Sequence, residues 1–254
     1  MQHRPSAVAY LGSRNVAMFS CDVDSFDFRS KDPDQVVNTV MTGLDKKGKG
    51  IILMHDFQKN TALALPKSTC ANPDALGISR TVVVDTTGGP GFGRDPFKQF
   101  DFLADREVVL TFDDGPWPVN TPAVLKALAD ECTTGIFFSI GKHATYHPEI
   151  LRQVLAAGHT VGVHTWSHAN LNGKKMTDEA AKEELEKGFS AVKFALGTNP
   201  APFFRFPQLQ HRPSAVAYLG SRNVAMFSCD VDSFDFRSKD PDQVVNTVMT
   251  GLDK

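Results

Sequence analysis

The order of apolar and polar segments predicts an α/β fold in which a parallel sheet is closed, or partly closed, by helices. Three observations carry that prediction. From Glu107 onward, short apolar runs alternate with amphipathic stretches of helical period, and such alternation builds parallel strands joined by helical crossovers. Several of the runs end in Asp, His or Arg, as strands do where chemistry collects at their C-terminal ends. The chain has 254 residues, 41% hydrophobic and 22% charged, enough to bury a large core as one barrel or two small domains.

Taken in order, Pro5 to Leu11 reads as a short helix stopped by Gly12, and Val16 to Ser20 as a strand entering the acidic loop CDVDSFDF. Asp34 to Leu44 follows Pro33 as a helix, and Ile51 to Met54 as a strand whose end carries His55 and Asp56. Residues 66–93 are rich in Gly, Pro, Ser and Thr around one expected strand, Thr81 to Asp85. There the run GGPGFG reads as a connection without regular structure. Next, EVVLTFDDGP (Glu107 to Pro116) predicts a buried strand of Val108, Val109, Leu110 and Phe112 that delivers Asp113 and Asp114 before Gly115 and Pro116 turn the chain. Beyond it, Thr121 to Asp130, Pro148 to Ala157 and Asp178 to Leu196 read as helices. Gly158 closes the second, while Thr177 caps the third and Gly197 stops it. Thr134 to Ser139, Thr160 to Val163 and Pro202 to Phe206 read as strands.

Gln210 to Lys254 repeats Gln2 to Lys46 without a substitution. Repeat proteins stack diverged neighbouring units, so two identical, separated copies suggest something else: a circular arrangement of one gene whose ends overlap, arising from an engineered permutation, a recent duplication or a sequence-assembly artefact. The expected organisation is residues 1–66 as a displaced C-terminal part, 67–100 as linker and first strand, and 101–254 as the main body. Because the copies compete for one place, only one is expected to pack in the sheet. A formal net charge of -2 gives no electrostatic case for nucleic acid or an anionic membrane. No apolar run has the length of a membrane span, and Gln, His, Arg and Pro after Met1 do not form a signal-peptide core. Cys21, Cys70, Cys132 and Cys229 lack metal-type spacing, and Cys229 is only the copy of Cys21.

Asp113 and Asp114 are adjacent on a backbone expected to be extended, so their carboxylates point apart and can divide two tasks, binding a ligand and moving a proton. DDGP by itself equally describes an acidic turn. In HTWSH, His164 and His168 lie four apart after a strand; on one helical turn both imidazoles would face the same side. That spacing alone is also common among packing histidines. Together with Asp114 from a neighbouring strand end, it becomes two imidazoles and a carboxylate, a set that can hold one cation and leave room for water.

TFDDGP, HTWSH and FRFP in that order resemble the polysaccharide deacetylase family, the chitooligosaccharide deacetylase homology domain of carbohydrate esterase family 4. The fourth family motif, DxxDW, resembles Asp24 to Phe28 and Asp232 to Phe236, and the fifth resembles Leu53 to His55. The resemblance implies a distorted (β/α)7 barrel, incomplete here because the closing helix and strand are missing after Leu65. Joining Gln210 onward to the continuation after Lys46 restores the family order, which predicts a circularly permuted strand order. It further implies a divalent metal, usually zinc, on Asp114, His164 and His168, with Asp113 as general base and Arg205 beside it. Gln208 would offer a backbone N–H to the oxyanion, and His55 would be the general acid, kept protonated by Asp27 or Asp235. The implied substrate is an acetylated polysaccharide such as chitin, peptidoglycan or acetylated xylan, and family members are commonly secreted or periplasmic. Phe28 and Phe236 replace the family's Trp, and Gln208 its Tyr. A catalytically silent protein that keeps metal or sugar binding is the alternative.

Overall fold

The computed structural model describes residues 23–24, 29, 32–47, 52–53, 77–78, 80–93, 97, 103–104 and 107–252. These fall in two compact units, Met1–Gly77 and Ile78–Lys254. In the first, strand β1 (Val23–Asp24) runs parallel to β2 (Ile52–Leu53), with Val23 opposite Ile52 and Asp24 opposite Leu53. Helix α1 (Pro33–Lys47) joins them, packs on β1 and buries Val36 to 1% exposure. The helix predicted from Asp34 and the strand predicted from Ile51 are both present. Those expected at Pro5 to Leu11 and Val16 to Ser20 lie outside the described residues.

The second unit is a curled, half-closed barrel. Its strands are β3 (Gly91–Phe92), β4 (Thr111–Asp113), β5 (Ile136–Ser139), β6 (Thr160–Val163), β7 (Phe203–Phe204) and β8 (Ala225–Phe227). They form one six-stranded sheet, all parallel, in the order β3-β8-β7-β6-β5-β4. The crossovers are α2 (Asn120–Asp130), α3 (Gly141–Tyr146), α4 (Pro148–Ala156), α5 (Asp178–Leu196) and α6 (Pro213–Ser221), and α7 (Pro241–Leu252) follows β8. The core lies between sheet and helices, around Leu151, Val163, Leu185, Val192, Phe204 and Leu219, each below 2% exposure.

Local chemistry accounts for several boundaries. Thr177 caps α5 by accepting the Ala180 N–H at 3.1 Å, and Gly197 ends it in the left-handed region at φ 73°. Within α5, Gly188 has no Cβ because one would sit 2.7 Å from the Thr165 carbonyl carbon. Helix and the loop after β6 therefore touch backbone to backbone.

Three sequence expectations are corrected. Thr81 to Asp85 is not a strand; Val83 is 93% exposed, so its apolar character meets no partner. The strand is instead in the Gly-rich run, where Gly91–Phe92 pairs with β8 and Gly89 lies close enough to Gly220 that a Cβ would clash at 2.5 Å. Val108, Val109 and Leu110 are also not a buried strand. They are 56%, 39% and 38% exposed, because β4 is the sheet's edge and only β5 covers it. The short helix α3 was not expected, and Cys132 is disulfide-bonded, which its spacing did not reveal. Among the described residues, no helix is long and apolar enough to cross a membrane.

The duplicated segment appears in both units. In the second, residues of the later copy form α6, β8 and α7. α7 has the same sequence as the first part of α1, yet Val245, Met249 and Leu252 are 56%, 55% and 49% exposed.

Candidate active site

Parallel register brings the chemistry to one level of the sheet. Asp113 ends β4 opposite Phe138, His164 follows Val163 at the end of β6, and Arg205 follows Phe204, the register partner of Val163. Ser228 follows β8 in the same way.

Arg205 ties these ends together. It is 5% exposed. Its Nη1 donates to Asp113 Oδ1 at 2.9 Å and to Thr111 Oγ1 at 2.8 Å, and its Nη2 to the Ser228 carbonyl at 2.7 Å. A longer bond of 3.4 Å runs from Nε to the Phe227 carbonyl, and the guanidinium lies over the Phe138 ring at 4.5 Å. One side chain from β7 thus reaches β4 on one side and the end of β8 on the other. Only the curl of the sheet allows that. Burying this cation is tolerable because every guanidinium nitrogen has an acceptor and a carboxylate balances the charge.

On the other side of Asp113, His164 is 2% exposed and donates its Nδ1–H to the Arg205 carbonyl at 2.7 Å. That bond leaves Nε2 with a free lone pair, 3.5 Å from Asp114 Oδ1 and 3.9 Å from Asp113 Oδ2. Burial pushes this imidazole below the usual histidine value, against the opposing pull of Asp113, and so favours the neutral, ligating form. His168 Nε2 lies 3.4 Å from the same Asp114 oxygen. The two imidazoles do not sit on a helical turn, as the spacing predicted. Thr165 and His168 have φ of 64° and 62°, and the segment is a tight turn held by the His168 N–H donating to Thr165 Oγ1 at 3.0 Å. Asp114 is likewise not extended. It has φ 67°, and its Oδ1 lies 3.5 and 3.4 Å from Nε2 of the two histidines.

Asp114, His164 and His168 offer three ligand atoms within 4.8 Å of one another. A tetrahedral ion with ligands at about 2.05 Å requires ligand atoms roughly 3.3 Å apart, close to the 3.4 and 3.5 Å separations from Asp114 to the two imidazoles. The donor set of one carboxylate and two imidazoles suits zinc and leaves a position open.

Other candidates are placed differently. Asp235 is exposed on a single 3-10 turn, Asp235–Arg237. His55 and Asp27 lie outside the described residues. Gln208 has φ 56°, and its side-chain carbonyl accepts from Asn170 Nδ2 at 2.9 Å. A cavity of about 1040 Å³ adjoins Arg205 through Ser228 and is lined by Cys229, Asp232, Phe234 and Asn246. Burial raises the Cys229 thiol pKa, which favours the protonated form.

The sequence reading missed His143 and Thr111. His143 Nδ1–H donates to the Asp114 carbonyl at 2.6 Å, fixing the backbone of a candidate ligand. Its position just past the end of β5 was the available signal, but no short motif contains it. Thr111 lies inside TFDD and shares the Arg205 contact.

The family model described as polysaccharide deacetylase matches residues 103–226. The sequence is 30% identical over 163 residues to a chitooligosaccharide deacetylase of Sinorhizobium fredii, covering 61% of this chain and 75% of that one. It is 29% identical over 143 residues to a peptidoglycan-N-acetylglucosamine deacetylase of Bacillus cereus, covering 56% of this chain and 51%, about half, of the relative's length. Among solved structures, a Bdellovibrio bacteriovorus peptidoglycan deacetylase has a TM-score of 0.59 at 30% identity, over 67% of this chain and 46% of its own.

Proposed function

Since the chain belongs to the polysaccharide deacetylase family, we propose that it is a cation-dependent hydrolase. Its reaction would remove acetyl groups from an N-acetylglucosamine-type polysaccharide such as chitin, chitooligosaccharide or peptidoglycan. The observation that carries this reading is the cluster of Asp114, His164 and His168 beside a second carboxylate anchored by a buried arginine.

Asp114, His164 and His168 would hold one divalent ion, most simply zinc. Such an ion supplies Lewis acidity to an amide carbonyl and to water when bound. Arg205 donates to Oδ1 of Asp113, and on this reading Oδ2, 3.9 Å from His164 Nε2, would accept a proton from attacking water. The His164 bond to the Arg205 carbonyl locks the tautomer. Hydrolysis of the acetamide yields acetate and a free amine, and the amine must gain a proton as the C–N bond breaks. The reading assigns that proton to His55, with Asp27 or Asp235 as its carboxylate partner, and gives the Gln208 N–H to the developing oxyanion. It also retains a permuted order of family motifs and a secreted or periplasmic location, in keeping with the peptidoglycan in the name of the Bacillus cereus relative.

One observation favours a second reading, a silent metal- or sugar-binding protein. Asp235, the described candidate partner for the general acid, is exposed on its 3-10 turn, where a carboxylate is well solvated. Acetate release from N-acetylated chitooligosaccharides, with and without chelator, separates the two. Chelator-sensitive release supports the enzyme; full zinc occupancy with no release supports the silent protein.

A further inference from the structure

Trp117 is large, apolar and 48% exposed, three residues from a candidate metal ligand. Its backbone is held at two points, because its N–H donates to Thr121 Oγ1 at 2.9 Å and its carbonyl accepts the Thr121 N–H at 3.1 Å. The indole is also supported: the His143 ring lies against it, with centroids 4.5 Å apart and planes tilted by 52°. His143 in turn is fixed by its 2.6 Å bond to the Asp114 carbonyl. An unbroken set of contacts therefore runs from the exposed indole to the backbone of Asp114. The other tryptophan, Trp166, is only partly exposed and has Lys187 above its ring at 5.6 Å.

A half-exposed indole held at its backbone and its ring, three residues from Asp114, presents an apolar face to water. The axial C–H face of a pyranose ring is the complementary surface, since it is apolar while its hydroxyls stay at the rim, and aromatic rings supply contact area at little entropic cost. We propose that Trp117, backed by His143, is a stacking platform for the sugar ring next to the one whose acetyl group is removed. The site would thereby prefer oligosaccharides to a single sugar. This inference rests on the proposed deacetylase reading, but its binding step requires no turnover.

The test is a fluorescence titration of the full chain, without added metal, with an N-acetylated chitotetraose. A Trp166→Phe background leaves Trp117 as the reporter. A saturable change in Trp117 emission is expected. Trp117→Ala, followed by calorimetry, should weaken binding by about three- to ten-fold and Trp117→Phe by less, with the loss in turnover falling on KM more than on kcat. Unchanged Trp117 emission at saturating tetrasaccharide, or equal affinity in Trp117→Ala, would overturn the platform. Acetate release in parallel metal-loaded samples is scored separately, so loss of the platform and loss of the deacetylase reading are distinct results.

Discussion

Truncating Arg205 to alanine should destabilise the unit Ile78–Lys254 by about 3 kcal/mol, a shift of roughly 150-fold in the folded-to-unfolded ratio. The magnitude follows from what the guanidinium leaves behind: the Asp113 carboxylate, the Ser228 carbonyl and the Thr111 hydroxyl. Breaking a buried pair from one side costs about 3 to 5 kcal/mol. The Asp113 side chain is 32% exposed, so water repairs part of the loss and the low end of that range applies. Arg205→Lys retains the charge but not the fork and should cost less, about 1 to 2 kcal/mol. Urea denaturation followed by tryptophan emission is the assay, because Trp117 and Trp166 are the chain's two tryptophans and both lie in this unit. With a urea dependence of about 2 kcal/mol per molar, the alanine midpoint should fall by about 1.5 M. A fall below about 0.5 M, or equal midpoints for alanine and lysine, would refute the tie between strand ends.

Further outcomes follow from the same geometry. On the proposed metal site, His164→Ala, His168→Ala and Asp114→Asn should each lower zinc affinity by at least about a hundred-fold in calorimetric titration, since three proposed ligands would become two. Gly188→Ala, favoured by helix propensity by about 1 kcal/mol, should instead lower stability by about 1 to 3 kcal/mol, read by the same urea assay, because its Cβ meets the Thr165 carbonyl. It should also weaken zinc binding by displacing the turn between His164 and His168. Acid sensitivity should track His159 and His211, whose imidazoles burial holds below the usual value. Such groups charge more readily in the unfolded chain, so their contribution is intact above about pH 6.5 and is lost as pH falls below it. Each steepens the decline by at most about 1.4 kcal/mol per pH unit, and His159→Gln should flatten a plot of urea midpoint against pH.

Legibility in the sequence followed periodicity and motif density. Thr160 to Val163 and Asp178 to Leu196 were bounded as observed because strand burial and helix caps act locally. The edge position of β4 could not be read, since Val108 to Leu110 look the same whether one neighbour covers them or two. The pairing of Gly91–Phe92 depends on β8, far along the chain, and glycine signals flexibility unless the close partner is known. At the site, the grouping of Asp114, His164 and His168 was anticipated, but its means was not. Left-handed conformations occur at Asp114, Thr165 and His168, where helical spacing and an extended strand were expected. His143 was invisible because its role is a single bond to a main-chain carbonyl.

Because the stretch shared by α1 and α7 is letter for letter the same, the molecule carries its own paired experiment on context. Val36 and Val244 have the same neighbours in sequence, yet one is sealed from solvent and the other only partly covered. Any score that reads sequence windows must give both the same value, and so must err on at least one. An identical edit made in each copy would isolate what the three-dimensional surroundings add to a valine, with composition, propensity and local pattern held constant.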